Sequence, residues 1–340
     1  MKTLTVNSND KVSQILIGKY DEIYQKVNIP SKTIYITDEN VSNEYSDFLK
    51  EESVIVIKPG EVNKTLDTLD SVYNQLTEYK ADRNSFIIGF GGGLVTDVAG
   101  FAASTFMRGI RFGFIPTSLL AMIDASIGGK NGVNHHRFKN MIGTFNQPDF
   151  VLMDSSFLRT LPQDEYISGM GEALKHFLIN NNKQFYHFVN NPGGFIDKKN
   201  VSNDFLYNQA KVKVEIVNKD EKETGERKKL NFGHTFGHAI EKTTGIKHGF
   251  AVSIGMVIAA KISNKLGLLS TKDLIDTITG LKLAGLPTDI HIPKNSIIEA
   301  MHKDKKKFGD NIDFIVLEGI GNAKIVRLGM KELEELYMSV

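Results

Sequence analysis

Residues 85–105 read SFIIGFGGGLVTDVAGFAAST: an apolar run from Ser85 to Phe90, three glycines at Gly91, Gly92 and Gly93, then Leu94, Val95, Thr96 and Asp97 leading on to Thr105. A short apolar run that stops at glycine is a buried strand, and the segment after it has the composition of a helix. Glycine lets the backbone approach an anion closely, and the N–H groups that open a helix carry the positive end of its dipole. The turn is therefore a candidate phosphate cradle. Gly89, Gly91 and Leu94 lack the third glycine of the usual dinucleotide fingerprint, and a tight strand-to-helix turn would use the same residues.

Working outward, Lys32–Thr37, Val54–Lys58 and Gly113–Pro116 are further short β-branched or aromatic runs. Thr65–Tyr79 spaces Leu66, Leu69, Val72, Tyr73 and Leu76 as a helix does. Strand and helix alternate, which predicts a parallel α/β sheet with crossover helices. Beyond about Asp154 the pattern changes to amphipathic helical segments at Gly171–Phe188, Asp204–Val217, Asn231–Thr243 and Phe250–Leu266. Two domains follow, residues 1–160 and 161–340, with a break near Leu161-Pro162. No glycine- or serine-rich linker marks the break, so the halves are expected to share a cleft.

The 41 basic and 40 acidic residues nearly cancel, which argues against nucleic acid or a membrane surface as partner and for a small molecule. No cysteine is present, so a metal must be held by histidine and carboxylate. The N-terminus has no signal-peptide core and no apolar run reaches membrane length, which gives a cytoplasmic expectation.

Arg227–His248, RKKLNFGHTFGHAIEKTTGIKH, holds three histidines with glycines nearby. His234 and His238, four apart, would share a helix face as metal ligands often do. Thr235 stands where a zinc protease needs its glutamate base, which removes that reading. A second glycine-rich stretch, PTSLLAMIDASIGGKNGVN from Pro116 to Asn134, brings Asp124, Ser126 and Lys130, and Lys139-Asn140 follow. Two lysines and an asparagine suit a hydroxylated or phosphorylated ligand.

Taken in order, Pro59-Gly60-Glu61 with Lys64, the triple glycine with Asp97, Arg108-Gly109, Asp124–Asn134, Lys139-Asn140, Gly171-Glu172 with Lys175, Asp220–Arg227, Asn231–His238 and His248-Gly249 resemble the 3-dehydroquinate synthase family. The resemblance implies a dehydroquinate synthase-like α/β N-terminal domain with a Rossmann-like parallel sheet that binds NAD. It further implies a mostly α-helical C-terminal domain with a catalytic zinc (cobalt being an alternative ion), an active site between the two, and a homodimer as the assembly. The implied substrate is a phosphorylated sugar acid, 3-deoxy-D-arabino-heptulosonate 7-phosphate. It would be converted to 3-dehydroquinate and phosphate by transient oxidation, phosphate elimination, re-reduction and aldol closure.

Carried over by position, the resemblance makes Glu172, His234 and His248 the metal ligands and moves His238 off the metal to a proton-relay role. Lys130, Asn140 and Lys175 become ligands of the substrate's carboxylate and hydroxyls, Lys139 lies where cofactor and substrate meet, and Asp124 organises the hydroxyl to be oxidised. Arg108, Lys213, Arg227 and Asn231 match phosphate-handling positions, and Glu223 a carboxylate that positions basic groups. Lys305 or Lys306 supplies a further substrate contact. NAD contacts map to Asp38, Asn40, Glu61, Lys64, Gly92, Gly93, Asp97, Thr117 and Ser118, with Lys130 and Lys139 beside them. Ser118 stands for a more usual threonine, Thr96 for a common glycine and Ala125 for a frequent serine. Competing readings are another sugar phosphate cyclase such as 2-deoxy-scyllo-inosose synthase, a glycerol-dehydrogenase-like oxidoreductase, or a catalytically dead scaffold.

Overall fold

The computed structural model describes residues 1–8, 11–136, 138–303 and 311–340. The chain divides into two compact units: Met1–Pro162 with Val201–Glu221, and Gln163–Asn200 with Lys222–Val340.

The first unit is built on strands β1 (Lys2–Asn7), β2 (Val12–Ile17), β3 (Thr33–Asp38), β4 (Ser53–Ile57), β5 (Phe86–Gly91), β6 (Arg111–Pro116), β7 (Lys130–His135), β8 (Phe138–Phe145) and β9 (Phe150–Met153). Seven of them form one sheet in the order β1-β2-β9-β6-β5-β3-β4. All neighbours in it are parallel except β1, which pairs antiparallel with β2. The central strands bury both faces through Ile34, Ile36, Ile87, Phe90, Phe112 and Ile115, as a parallel sheet covered by helices requires. From β3 the chain steps out to β4 and returns on the other side as β5. Strand order reverses there, and in open α/β sheets ligands bind at the carboxyl ends of the strands beside such a point.

The end of the second glycine-rich stretch and the Lys139-Asn140 segment after it lie in the antiparallel hairpin β7–β8. Its glycines are needed where the strands touch: a Cβ on Gly132 would lie 2.5 Å from the Ile142 carbonyl oxygen. The helix Asn203–Lys219 belongs to this unit although it follows the break at Pro162. It closes the exposed edge of β1: the Asn7 main-chain N–H donates to Asn218 Oδ1 at 2.8 Å, Asn218 Nδ2 donates to the Thr5 carbonyl at 3.0 Å, and Lys2 pairs with Asp204. A covered edge cannot recruit a foreign strand.

The second unit is mostly helical. Gly171–Phe188, one segment in the sequence reading, is two helices, Gln163–Asn180 and Asn182–Asn190. Asn181 breaks them by accepting the Gln184 N–H on its side chain, as an N-cap does. The helix His248–Lys265 is apolar around most of its circumference and nearly all buried, from Gly249 to Ser263, the pattern of a central helix rather than an amphipathic one. Two further strands, β10 (Asn311–Gly319) and β11 (Asn322–Gly329), form a hairpin. Among the described residues no helix is long and apolar enough to cross a membrane.

Candidate active site

In the first unit, the carboxyl ends of β3, β5 and β6 bring together Asp38, Gly92-Gly93 and Thr117-Ser118. The glycines divide their work. A Cβ on Gly91 would lie 2.5 Å from Val95 Cγ2, so Gly91 is demanded by strand-to-helix packing, whereas one on Gly92 would meet only Ser118 Oγ, at 3.4 Å. The approach to the N-terminus of the helix Gly93–Thr105 therefore stays open at Gly92, as an anion cradle requires. Thr96, in place of a common glycine, does not narrow it: its hydroxyl donates to the Gly93 carbonyl at 3.1 Å.

Asp38 caps the helix Glu39–Glu44, with Oδ1 accepting the N–H groups of Asn40 at 2.9 Å and Val41 at 3.1 Å. Burial raises its pKa against those two bonds. Lys64 is buried and is the hub of this side. It pairs with Asp97 and donates to Asn140 Oδ1 at 2.6 Å, while its carbonyl accepts the Asn134 N–H at 2.8 Å. Burial opposes its charge, yet Asp97 and Glu61 outweigh burial and raise its pKa. Burial also pushes the Asp97 carboxyl up in spite of Lys64. Asn134 holds Glu61 as well, donating to Oε1 at 2.9 Å. Asn134 lies inside a quoted motif, but its double attachment is visible only once the hairpin is folded.

Asp124 sits in the π-helical turn Ala121–Ala125, and Lys213, buried on the helix Asn203–Lys219, donates to its carbonyl at 2.5 Å and to Oδ1 at 2.6 Å. Lys130 and Lys139 are exposed on the β7–β8 hairpin. Arg108 is not gathered with these residues. It follows the far end of the helix Gly93–Thr105 and precedes β6, at the amino edge of the sheet, roughly 20 Å along the helix from Gly92.

In the second unit, Glu172 Oε1 lies 3.4 Å from both His234 Nε2 and His248 Nε2. One ligand atom from each of the three residues falls within 4.8 Å of the others. Glu172 is 0 % exposed. Lys175, one turn on and also buried, is paired with it. Burial would raise the Glu172 pKa, but Lys175 and the two histidines hold it well below the usual carboxylate range. Burial, reinforced by Lys175, keeps His234 well below its ordinary value. An ionised carboxylate and a neutral imidazole are the forms that bind a metal, and a fully buried carboxylate facing two imidazole nitrogens fits a cation. Two imidazoles and one carboxylate also leave coordination positions open.

His234 Nδ1 lies 3.2 Å from the Phe232 carbonyl. A carbonyl only accepts, so Nδ1 carries the proton and Nε2 is free. His238 is on the same helix but exposed, its ring centroid 5.2 Å from that of His234 and 5.9 Å from that of His248. Asn231 donates to Glu223 Oε1, and Arg227 is buried nearby in sequence. Arg108, Asn140 and Glu223 all adopt positive φ without being glycine, strain of a kind that concentrates at functional positions. Lys305 and Lys306 lie outside the described residues.

A phosphate-type cradle at a strand-order reversal, with an open two-histidine, one-carboxylate cluster, defines a nucleotide- and metal-dependent enzyme. Comparison with known proteins narrows the class. Residues 54–168 match the family model for the N-terminal part of 3-dehydroquinate synthase and residues 169–307 that for its C-terminal part. A 3-dehydroquinate synthase of Pyrococcus abyssi is 45 % identical over 294 residues, covering 84 % of this chain and 83 % of that protein. One of Streptococcus sanguinis is 40 % identical over 319 residues, covering 90 % of each. Among solved structures, 2-deoxy-scyllo-inosose synthase complexed with carbaglucose-6-phosphate, NAD+ and Co2+ superposes with a TM-score of 0.86 at 27 % identity, covering 99 % of this chain and 100 % of that one. The chain belongs to the 3-dehydroquinate synthase family.

Proposed function

We propose that this chain converts 3-deoxy-D-arabino-heptulosonate 7-phosphate to 3-dehydroquinate and inorganic phosphate, a step of aromatic amino acid biosynthesis through the shikimate pathway. The carrying observation is the convergence of Glu172, His234 and His248 in a chain that matches both halves of the family. Overall the reaction is a phosphate-eliminating cyclisation: one hydroxyl is transiently oxidised, phosphate leaves, the carbonyl is reduced again and the opened ring closes by internal aldol addition.

Glu172, His234 and His248 would hold a zinc or cobalt ion, since imidazole and carboxylate accept either. Bound there, the ion supplies Lewis acidity to substrate oxygens. Gly92, Gly93, Lys64 and Asp97 would hold NAD, which would supply a hydride acceptor regenerated within the cycle. The chain's own side chains do the rest. His238, exposed beside the ligands, is placed to take and return a hydroxyl proton at its imidazole. Lys175 carries a positive charge that suits the substrate carboxylate. Asp124 is held in place by Lys213 and aligns the hydroxyl to be oxidised, while Lys130, Lys139 and Asn140 orient the remaining hydroxyls. Arg227 and Asn231 bind phosphate, with Glu223 holding the asparagine amide. Phosphate departure needs no strong protein base once the neighbouring carbon carries a ketone, so positioning does most of the work.

Incubating the protein with NAD, zinc and the heptulosonate phosphate should release one phosphate per substrate with no net NADH, and yield 3-dehydroquinate as the organic product. Steady NADH accumulation with simple polyols would assign a dehydrogenase instead. Turnover of a hexose phosphate to a carbocycle would assign a different cyclase.

A further inference from the structure

On the helix His234–Thr244, His234, His238 and Glu241 follow one another at spacings of four and three, on one face. The first two have roles above; Glu241 has none. Its Oε2 lies 3.3 Å from His248 Nδ1. The connection that makes this contact is three residues long. Gly245, left-handed at φ 72°, donates its N–H to the Glu241 carbonyl at 2.8 Å, ends the helix and turns the chain, so that His248 opens the next helix facing back toward Glu241.

A carboxylate accepts, so His248 Nδ1 carries a proton for Glu241, and Nε2, the atom 3.4 Å from Glu172 Oε1, is the nitrogen left to face a metal. His234 is held in the same tautomer by the Phe232 carbonyl. The two imidazoles thus have unlike partners, a neutral carbonyl and a carboxylate, and a carboxylate makes an imidazole the more basic ligand. Only 14 % of the Glu241 side chain is exposed, so water competes weakly for it.

We propose that Glu241 is a positioning residue of the metal site: it fixes the ring of His248 and strengthens its grip on a divalent ion that Glu241 itself does not touch. The proposal rests on the reading of Glu172, His234 and His248 as ligands. Zinc alone is the probe, measured by competition with a chromophoric chelator on the full chain, as wild type and as the variants Glu241→Gln, Glu241→Ala and His248→Ala. Expected are one zinc in the wild type, loss of binding in His248→Ala and roughly 10- to 100-fold weaker binding in Glu241→Ala. Glu241→Gln, which keeps an acceptor without the charge, should fall in between. The visible absorption of bound cobalt should shift in Glu241→Ala, which a merely structural role does not predict. If Glu241→Ala does not fold, the glutamine variant decides alone. Affinity within twofold of wild type in the glutamate variants, with His248→Ala depleted, overturns this proposal and spares the ligand assignment. Equal zinc in wild type and His248→Ala overturns both.

Discussion

A glycine adjoins each proposed ligand: Gly171 precedes Glu172, Gly233 precedes His234 and Gly249 follows His248. Each is a point of backbone contact. A Cβ on Gly249 would lie 1.8 Å from the Ser168 carbonyl oxygen, one on Gly171 2.7 Å from the Gly249 carbonyl oxygen, and one on Gly233 2.8 Å from the Met256 main-chain nitrogen. The sequence shows the glycines beside the histidines, but spacing alone pairs His234 with His238, because four residues along one helix is the only proximity a sequence displays. His248 reaches the cluster through a chain reversal, and Glu172 through helix packing, which is why only the family resemblance identifies them. Two predictions belong at this scale. His248→Ala should lose its zinc, while His238→Ala should retain it and turn over about 10²- to 10⁴-fold more slowly; metal analysis beside kcat decides, and a normal zinc content in His248→Ala refutes the assignment. The second concerns protons. In the metal-free protein burial opposes charge on His248, but Glu172 and Glu241 raise its pKa from 6.5 to about 9. Stability gained from that charged ring is present below about pH 6.5 and is lost as pH rises through about 9. An ion entering at pH 7 must displace this proton, so zinc affinity should climb toward pH 9 and level off above it. Calorimetry in buffers of different ionisation enthalpy should record about one proton released per zinc at pH 7; none released would contradict the assigned protonation.

At the scale of elements, the cluster depends on how closely three helices approach. Gly255, in the middle of the helix His248–Lys265, would place a Cβ 2.0 Å from the Gly233 carbonyl oxygen and 2.8 Å from the Gly237 nitrogen. These neighbours are backbone and cannot swing aside. Gly255→Ala should therefore separate this helix from His234–Thr244, destabilising the protein by about 1–3 kcal/mol or more and lowering zinc content, because the helices carry different ligands. Gly193→Ala is the control: nothing lies within 4 Å of its Cβ, and its thermal midpoint and zinc content should stay at wild-type values. Comparable losses in both variants would remove close packing as the cause. Most elements are legible in the sequence, because the β-branched runs at β3, β4, β5 and β6 and the apolar spacing of Leu66–Glu78 express burial directly. The hairpin β7–β8 is not. β8 is exposed or half-buried along its whole length and β7 carries lysine, glycine and asparagine, so neither strand displays clear apolar alternation. The same hairpin places Asn134 and Asn140 on Lys64, which is how two strands without apolar alternation organise the nucleotide side.

At the scale of the molecule, chain order and unit membership part company. The helix Asn203–Lys219 comes after Gln163–Asn200 of the second unit yet packs with the first, and its placement depends on Asn218 and Asp204 meeting β1 at the start of the sequence. No local pattern records such a pairing. The placement matters because Lys213 on that helix holds Asp124, so the nucleotide-side unit owns one charge that a linear division assigns to the metal side. The two ligands should accordingly protect different, discontinuous sets of residues from hydrogen exchange. Zinc should slow exchange in Gln163–Asn180, His234–Thr244 and the first turns of His248–Lys265. NAD should slow it in 86–98, 117–125 and the β7–β8 hairpin. A ligand that binds only the native state at 100 times its Kd stabilises by about 2.7 kcal/mol, roughly a hundredfold slowing where exchange proceeds through unfolding of the unit it occupies. The helix Asn203–Lys219 provides the sharpest contrast, since it should follow NAD and not zinc. If its exchange instead responded to zinc alone, the assignment of that helix to the nucleotide side, and with it the Lys213–Asp124 arrangement, would be wrong.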